Sequence, residues 1–194
     1  MDTTLGHELS RLGIEFSPEI KAKLEIYIEE LERWNRRMNL TSLTGRELVR
    51  RLIAEPCWVG QQLQMSGTLL DVGSGNGSPG IPLYVGCKLQ SIHLVEARLR
   101  RAAFLRHVAG RLGDTSIVVH RLRLETMPAA PPCDWITLQG VKPVGSLVEA
   151  LRGLLSPTTF VVWITSGDFA LGGGRRIMVP ESSTVVWVVQ LDQF

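Results

Sequence analysis

The chain has 194 residues, of which 44% are hydrophobic and 21% charged. This length suits one domain with an appendage, and the composition is that of a globular protein with a buried core. No apolar run approaches the roughly 18 residues that cross a bilayer. The N-terminus lacks the pattern of a secretory signal, so we expect a cytoplasmic protein. Three cysteines without paired spacing argue against a disulfide framework and a zinc site, and we expect no bound metal.

The net charge of +2 hides two arginine-rich segments. Residues 33–51 hold six arginines and one acid, and residues 98–123 hold seven arginines and one acid. A solvated helix face would explain any single arginine, but the planar guanidinium also suits phosphate recognition. Two such clusters in a near-neutral protein favour a polyanionic partner such as RNA. The candidate RNA-contacting residues are Arg33, Arg36, Arg37, Asn39, Arg51, Arg123 and Lys142.

Residues 1–64 are predicted to form an N-terminal helical extension. Ser17–Glu19 is a helix start, with a capping hydroxyl, a proline in the first turn and an acid near the positive end of the helix dipole. Apolar residues then recur at steps of three and four over residues 20–38, which predicts one long amphipathic helix. Pro56 is expected to end or kink a later helix near Glu55.

Residues 65–194 are predicted to form one Rossmann-like α/β domain, because short β-rich runs alternate with helical stretches. The predicted strands are 68–72, 91–95, 116–120, 135–138 and 159–164, and the predicted helices are about 80–88, 98–112 and 145–155. Such alternation requires crossover connections and therefore a mostly parallel sheet. Two last β-rich runs, 175–179 and 184–191, have no helix between them and predict an antiparallel hairpin. This is the usual layout of class I methyltransferase domains.

The segment Asp71–Gly80, with the sequence DVGSGNGSPG, is the sharpest local motif. It follows an apolar strand and precedes a helix, which is where open α/β sheets bind ligands. Glycines there let the backbone turn sharply and approach a ligand closely. The spacing of Gly75, Gly77 and Gly80 also fits a dinucleotide-binding loop, so a nicotinamide cofactor is one alternative.

Three features favour S-adenosylmethionine over a nicotinamide cofactor. The glycines begin two residues after Asp71, in the D-x-G-x-G-x-G order of methyltransferase loops. Pro79 removes a backbone N–H where a helix N-terminus would hold a pyrophosphate. The C-terminal hairpin is typical of methyltransferases rather than dehydrogenases. Glu96 ends the second strand and can accept hydrogen bonds from both ribose hydroxyls of either ligand.

The ends of the third and fourth strands limit the chemistry. Leu124 and Glu125 follow the third strand, where backbone groups can contact the adenine. The fourth strand, Asp134–Gly140, lacks the Asn/Asp-Pro-Pro-aromatic motif of enzymes that methylate exocyclic amines. Cys133 lies at the wrong end of that strand for a cytosine C5 nucleophile, and Cys57 lies outside the sheet domain. The catalytic residues stay unknown, and an acceptor with a free lone pair, such as guanine N7, suits a site without acid–base machinery.

Five motifs resemble the bacterial GidB/RsmG family. They are Leu31–Asn35, Asn39–Thr41, Asp71–Gly75, Pro79–Leu83 and Arg100–Arg106. The resemblance implies a methyltransferase that uses S-adenosylmethionine to modify guanine N7 in the 530 loop of 16S rRNA, in the small ribosomal subunit. We expect it to act as a monomer.

The motif and the resemblance together define a cofactor site at the ends of the strands. The family's contacts would fall on Gly73, Ser78, Leu124, Glu125 and Gln139. The candidate cofactor-binding residues are therefore Asp71, Gly73, Gly75, Gly77, Ser78, Glu96, Leu124, Glu125 and Gln139.

The chain departs from the family on the acceptor side of the site. Gln139 replaces the arginine of a Ser-Arg-Ala motif, Ser166 replaces a lysine, and Arg51–Glu55 replaces a His-x-x-Asp-Ser motif. Lys142 is a candidate substitute for one lost charge. Two alternatives therefore stay open: a divergent paralogue that binds S-adenosylmethionine or RNA without efficient methyl transfer, and an enzyme retargeted to another acceptor.

Overall fold

The computed structural model describes residues 4–141, 145–165 and 174–194. The helices in these ranges are α1 (Thr4–Arg11), α2 (Pro18–Met38), α3 (Gly45–Val49), α4 (Glu55–Gln62), α5 (Gly80–Gly86), α6 (Leu99–Leu112) and α7 (Gly145–Leu154). The strands are β1 (Ser66–Val72), β2 (Lys88–Val95), β3 (Ile117–His120), β4 (Trp135–Gln139), β5 (Phe160–Thr165), β6 (Arg175–Met178) and β7 (Val185–Gln190). A search of the described helices finds none with the length and apolar character of a membrane span.

The seven strands form one sheet in the order β3-β2-β1-β4-β5-β7-β6. Strands β1 to β5 are mutually parallel, whereas β7 runs antiparallel to both β5 and β6. The mostly parallel sheet and the C-terminal antiparallel hairpin confirm the fold class predicted from the alternation of strands and helices. The carboxyl ends of β1, β2 and β4 therefore meet at one edge of the sheet, where the glycine-rich loop follows β1.

Helix α2 begins as the sequence predicts. Ser17 is its N-cap, and the Ser17 hydroxyl accepts a hydrogen bond from the backbone N–H of Ile20 at 3.4 Å. The apolar stripe of α2 is buried at Leu24, Tyr27 and Leu31. Helix α2 packs across α5 and α6, so the N-terminal helices share one buried core with the sheet. The proposed division at residue 64 falls between α4 and β1.

The chain stays helical through Pro56, so the helix does not end near Glu55 as expected. A π-helical stretch, Arg50–Ala54, joins α3 to α4 without a break. Pro56 lies in the first turn of α4, where its missing N–H is tolerated. The change from π-helical to α-helical geometry at Glu55 takes the place of the expected kink.

The two faces of the sheet bury separate cores. Helices α2, α5 and α6 cover the face that carries Leu69, Ile92 and Leu94. On the opposite face, Leu70 and Leu138 pack with the apolar residues of α7. Buried on both faces, the parallel strands form a rigid base for the loops at their carboxyl ends.

Candidate active site and nucleic-acid interface

The glycine-rich loop is bound to the end of β2 by backbone hydrogen bonds. The N–H groups of Gly73 and Ser74 both donate to the carbonyl oxygen of Val95, at 2.9 and 3.0 Å. Gly73 has a φ of +73°, and a Cβ atom there would lie 2.6 Å from Cγ2 of Val141. Only glycine fits this position without moving its neighbour, which explains the first glycine of the motif.

Glu96 closes the loop from the adjacent strand. One carboxylate oxygen, Oε2, accepts the backbone N–H of Gly75 at 3.0 Å, and Oε1 accepts the N–H of Arg98 at 2.7 Å. The side chain is buried at the wall of a cleft. Because each carboxylate oxygen has two lone pairs, both oxygens keep capacity for another donor. Glu96 therefore holds the loop in place and can also accept hydrogen bonds from a ligand.

The cleft beside this loop, which we call the cofactor cleft, has a volume of about 310 Å³. Its lining includes four of the predicted cofactor residues: Gly73, Glu96, Leu124 and Glu125. Arg123, a predicted RNA-contacting residue, lines it as well. Apolar walls with a few convergent polar groups are typical of cofactor sites. The glycine that lets the backbone approach and the Glu96 carboxylate in the same lining fit the adenosine end of S-adenosylmethionine.

Asp71 lies beneath the loop rather than in the lining of the cleft. Its Oδ1 atom accepts a hydrogen bond from the Thr137 hydroxyl at 2.6 Å, across the β1–β4 pairing. Burial raises the pKa of Asp71 to about 6, although the hydrogen bond from Thr137 lowers it. Asp71 is thus placed to position the loop from below.

Gly77 and its neighbour Asn76 meet helix α2. A Cβ atom on Gly77 would lie 2.7 Å from Ile81 and 3.2 Å from the ring of Tyr27. The Tyr27 hydroxyl donates to the carbonyl oxygen of Asn76 at 2.9 Å. The N-terminal helical segment therefore touches the cofactor loop directly.

Ser78 and Gln139 are brought together from the two sides of the site. The Ser78 hydroxyl donates to Oε1 of Gln139 at 3.3 Å. Both belong to the predicted cofactor set, and the structure places them side by side at the carboxyl end of the sheet. Gln139 is the position at which the resemblance implies an arginine, whereas Lys142 and Ser166 lie outside the described residues.

The two arginine-rich segments meet in a groove between α2 and α6. We call this surface the basic groove; its lining includes Arg33, Trp34, Arg36, Arg37, Met38, Arg100 and Ala103. Its volume is about 720 Å³, more than twice that of the cofactor cleft. The C-terminal end of α2 lies beside the N-terminal end of α6, which begins only a few residues after Glu96. The groove therefore opens near the cofactor edge of the sheet.

A buried carboxylate holds the two helices of the groove together. Glu30 on α2 pairs with Arg33 on the same helix, and with His107 and Arg111 on α6 at 3.0 and 3.4 Å. The ring of Trp34 packs against Phe104 and His107 of α6. The spacing and orientation of the groove walls are thus set by buried contacts.

Three arginines of the groove have no counter-charge in the described part of the chain. These are Arg36, Arg37 and Arg100, all exposed and without an ion pair there. Their positive charge faces solvent, as an anion-binding surface requires.

Arg51 lies in a different cluster. Its Nε atom is 4.0 Å from the buried carboxylate of Glu55, and that of Arg50 is 3.5 Å from it. We call this cluster the arginine clamp; it comprises Arg11, Arg46, Arg50 and Arg51 around the buried Glu8 and Glu55. The structure therefore does not bring Arg51 together with the arginines of the groove.

Asn39 follows the last residue of α2 and caps that helix in a left-handed conformation. The Asn35 side chain donates to the carbonyl oxygen of Thr41 and accepts the N–H of Thr41, at 2.9 and 3.0 Å. Asn35 and Asn39, from the Leu31–Asn35 and Asn39–Thr41 motifs, thus build the turn that ends α2 beside the basic groove. Asn39 is exposed there.

Sequence reasoning missed several residues of both sites. Val141 and Leu147 line the cofactor cleft, and Trp34 and Arg100 line the groove. Thr137 could not be found from the sequence, because only the pairing of β1 with β4 in the folded sheet places it opposite Asp71. Arg33, Arg36 and Arg37 were predicted to contact RNA and do line the groove, but their pairing with Arg100 could not be found from spacing, because α2 and α6 lie far apart in the chain.

Solved structures with the same architecture identify the class of protein. A structure of a mutant of MtNAS in complex with S-adenosylmethionine matches with a TM-score of 0.58 at 16% identity, covering 88% of this chain and 72% of that one. The C-terminal domain of precorrin-6Y C5,15-methyltransferase from Rhodobacter capsulatus matches with a TM-score of 0.52 at 13% identity, covering 77% and 91%. The sheet order, the hairpin and the loop define a class I methyltransferase fold.

Sequence comparison then gives the family. The family model of GidB, described as rRNA small subunit methyltransferase G, matches residues 20–169, and the chain belongs to this family. It is 28% identical over 170 residues to the ribosomal RNA small subunit methyltransferase G of Wolinella succinogenes, covering 88% of this chain and 87% of that protein. It is 36% identical over 141 residues to the protein of that name from Rhodospirillum rubrum, covering 72% and 69%. These matches confirm the family resemblance stated from the motifs.

Proposed function

We propose that this protein transfers the methyl group of S-adenosylmethionine to N7 of a guanine in the 530 loop of 16S rRNA. Membership of the GidB family supports transfer to small-subunit rRNA. The observation that carries the proposal is the cleft lined by Gly73, Glu96 and Leu124. The guanine N7 acceptor follows from the resemblance and from the absence of acid–base groups in the fourth strand.

The residues of the cleft fit separate parts of the cofactor. The Glu96 carboxylate can accept the ribose hydroxyls, while Leu124 and its neighbours cover the base. Ser78 and Gln139 lie toward β4, where the methionine end would extend. Bound there, S-adenosylmethionine supplies an electrophilic methyl group on a positively charged sulfur.

The protein's contribution to the reaction is mainly positional. Guanine N7 carries a free lone pair and has no proton to lose before attack, so no general base is needed. Holding the acceptor in line with the methyl group can lower the barrier by about 7–11 kcal/mol relative to a reaction between free molecules. A rigid loop, fixed to β2 through Val95 and Glu96, meets this requirement.

Gln139 favours a second candidate function. At this position the family carries an arginine, and here a neutral amide accepts the Ser78 hydroxyl. A protein with an intact cofactor cleft and an altered acceptor side could bind S-adenosylmethionine or RNA without efficient transfer, or methylate another acceptor. The cofactor residues would be kept in either case.

Methyl transfer from labelled S-adenosylmethionine to 30S subunits whose 530 loop lacks the N7 mark tests the proposal. We expect label in 16S rRNA, mapped to one guanine of that loop. Calorimetry in parallel should show binding of S-adenosylmethionine and none of NADH. Cofactor binding without incorporation would overturn the proposal and favour the second candidate.

The variant Gln139→Arg separates the two forms of that second candidate. If the wild-type chain is inactive and Gln139→Arg transfers the methyl group, the acceptor side has lost a needed charge. If neither transfers to 16S rRNA but both label another RNA, the enzyme is retargeted. Subunits that already carry the mark are the control for both proteins, and they should take up no label.

A further inference from the structure

The basic groove has the features of a nucleotide-binding site separate from the cofactor cleft. Among the residues that the structure describes, the two cavities share no lining residue. We propose that the groove binds an unstacked nucleotide of single-stranded RNA, with its base against Trp34 and its phosphates on Arg36, Arg37 and Arg100. This inference rests on the proposed function for the identity of the RNA, and the nucleotide is not the one that receives the methyl group.

Charge favours an anion in the groove. Arg36, Arg37 and Arg100 converge from two helices, and none has an ion pair within the ranges that the structure describes. Arg33 differs from them, because Glu30 and His107 hold its guanidinium at the rim of the cavity. Three uncompensated guanidinium groups around one cavity suit adjacent phosphates of an RNA backbone.

The apolar wall of the groove favours a base as well as a phosphate. Trp34 is half-buried, with its ring packed against Phe104 and His107, and it still lines the cavity beside Met38. A ring fixed in this way loses little conformational freedom when a base stacks on it. Sequence-specific RNA readers take unstacked bases from loops in this manner. A duplex offers no free base face, so the groove should distinguish single strands from duplexes.

The position of the groove links it to the methylation site. Arg98 lines the cofactor cleft, and Arg100, two residues further along the chain, lines the groove. A loop of RNA held at Arg100 therefore passes close to the cofactor edge of the sheet. The groove would act on the binding of RNA rather than on the chemical step.

The test compares the wild-type full chain with Trp34→Leu and with the double variant Arg37→Glu/Arg100→Glu. Leucine keeps apolar volume against Phe104 but removes the stacking face. The probes are a 16S rRNA fragment that contains the 530 loop and the same sequence annealed to its complement. Affinity is measured over a range of salt concentrations, and the affinity for S-adenosylmethionine is measured by calorimetry.

We expect Trp34→Leu to weaken binding of the single-stranded probe by roughly 5- to 100-fold and to leave duplex binding nearly unchanged. The double reversal should also weaken binding and make the slope of log affinity against log salt shallower by about 1.4, from two lost phosphate contacts. Affinity for S-adenosylmethionine should stay unchanged in both. In turnover assays KM for RNA should rise while kcat is kept.

The control is Arg152→Glu/Arg176→Glu, which reverses two exposed arginines on α7 and β6, away from the groove. If this control weakens RNA binding as much as the groove variant, or if Trp34→Leu affects duplex and single strand equally, the inference is wrong. Trp34→Phe covers a failure of the leucine variant to fold, because it keeps an aromatic face and should retain most of the affinity. These binding results do not depend on turnover. A wild-type chain that binds RNA through the groove without methylating it would contradict only the proposed function.

Discussion

The basic groove and the arginine clamp look alike in the sequence and differ in the structure. Each gathers four arginines, but the clamp surrounds two buried carboxylates, Glu8 and Glu55, whereas three of the groove arginines face solvent without a partner in the described residues. In the clamp the arginines form ion pairs with carboxylates of the protein itself. In the groove it is available to a ligand. The position of the acids, rather than the number of arginines, therefore separates a structural cluster from a binding surface.

The largest effect should come from removing an acid of the clamp. Glu55 accepts the hydroxyls of Ser182 and Thr184, at 2.7 and 2.6 Å, and so ties the N-terminal helices to the C-terminal hairpin. Glu55→Ala should lower the free energy of unfolding by about 3 kcal/mol, because these charge-assisted bonds are lost and Arg50 and Arg51 lose their counter-charge. Denaturant unfolding measures this loss. Glu47→Ala, which removes an exposed glutamate nearby, is the control; equal losses in the two variants would contradict the structural role of the clamp.

A carboxylate that forms no ion pair with an arginine in the described residues should affect the cofactor instead. Glu96 holds backbone N–H groups, so Glu96→Ala should weaken binding of S-adenosylmethionine by about 2 kcal/mol and leave the fold intact. Calorimetry gives the affinity and thermal unfolding checks the fold. Glu125→Ala is the matched control, since Glu125 is expected to contact the base through its backbone. Unchanged affinity in Glu96→Ala would remove Glu96 from the site.

Glu30 is the buried acid that holds together the two helices of the groove. Glu30→Gln keeps the shape of the side chain but removes the charge that Arg33, His107 and Arg111 share. We expect a loss of about 1.5 kcal/mol in the free energy of unfolding, with RNA affinity equal or higher because the groove becomes more positive. The exposed Glu29 gives the control variant, Glu29→Gln. A fall in RNA affinity in a folded Glu30→Gln protein would show that the carboxylate itself contributes to binding.

The smallest effect should come from a pair of histidines that belongs to neither the basic groove nor the arginine clamp. Nδ1 of His93 lies 3.0 Å from Nε2 of His120, and one ring must stay neutral to accept this hydrogen bond. Burial lowers the pKa of both rings, and His120 lowers that of His93 further. As the pH falls through about 6.5, these histidines therefore bind more protons in the unfolded chain than in the folded protein. Their contribution to the free energy of unfolding decreases toward acid pH.

The variant His120→Gln isolates this contribution. Its folded and unfolded states no longer differ in proton binding at that position. Its free energy of unfolding should therefore fall less between about pH 7.5 and 5.5 than that of the wild type. Asp71 acts in the opposite direction, because a pKa raised to about 6 favours the folded state as the carboxyl takes up a proton. Asp71 is present in both proteins and cancels in the comparison. If the free energy of unfolding changes with pH in the same way in the two proteins, the account of the histidine pair is wrong.

Much of the fold was predictable because its signals are local. Alternating β-rich and helical runs gave the parallel sheet, the last two runs gave the hairpin, and Ser17 marked the start of α2. The glycine-rich loop after β1 was predictable for the same reason, since the turn demands glycine at Gly73.

The basic groove was not predictable, because it depends on how α2 packs against α6. Nothing local in the sequence places Arg37 beside Arg100. The different role of Arg51 did leave a signal, since Glu55 follows four residues later on the same helical turn. Val141 reaches the cleft only through the fold of the chain after β4, which no periodic pattern encodes.

The most direct test of this comparison uses two double variants, one in each region, in which two arginines are replaced by glutamates. Arg36→Glu/Arg37→Glu alters the groove, and Arg46→Glu/Arg50→Glu alters the clamp. For each protein, the affinity for 16S rRNA is measured against salt, and the free energy of unfolding is measured in denaturant. The groove variant should lose at least about tenfold in affinity, with a shallower salt slope and unchanged stability, whereas the clamp variant should lose stability and, while folded, keep its RNA affinity. Full RNA affinity in the groove variant, or equal losses of affinity in both, would contradict the assignment of the two regions.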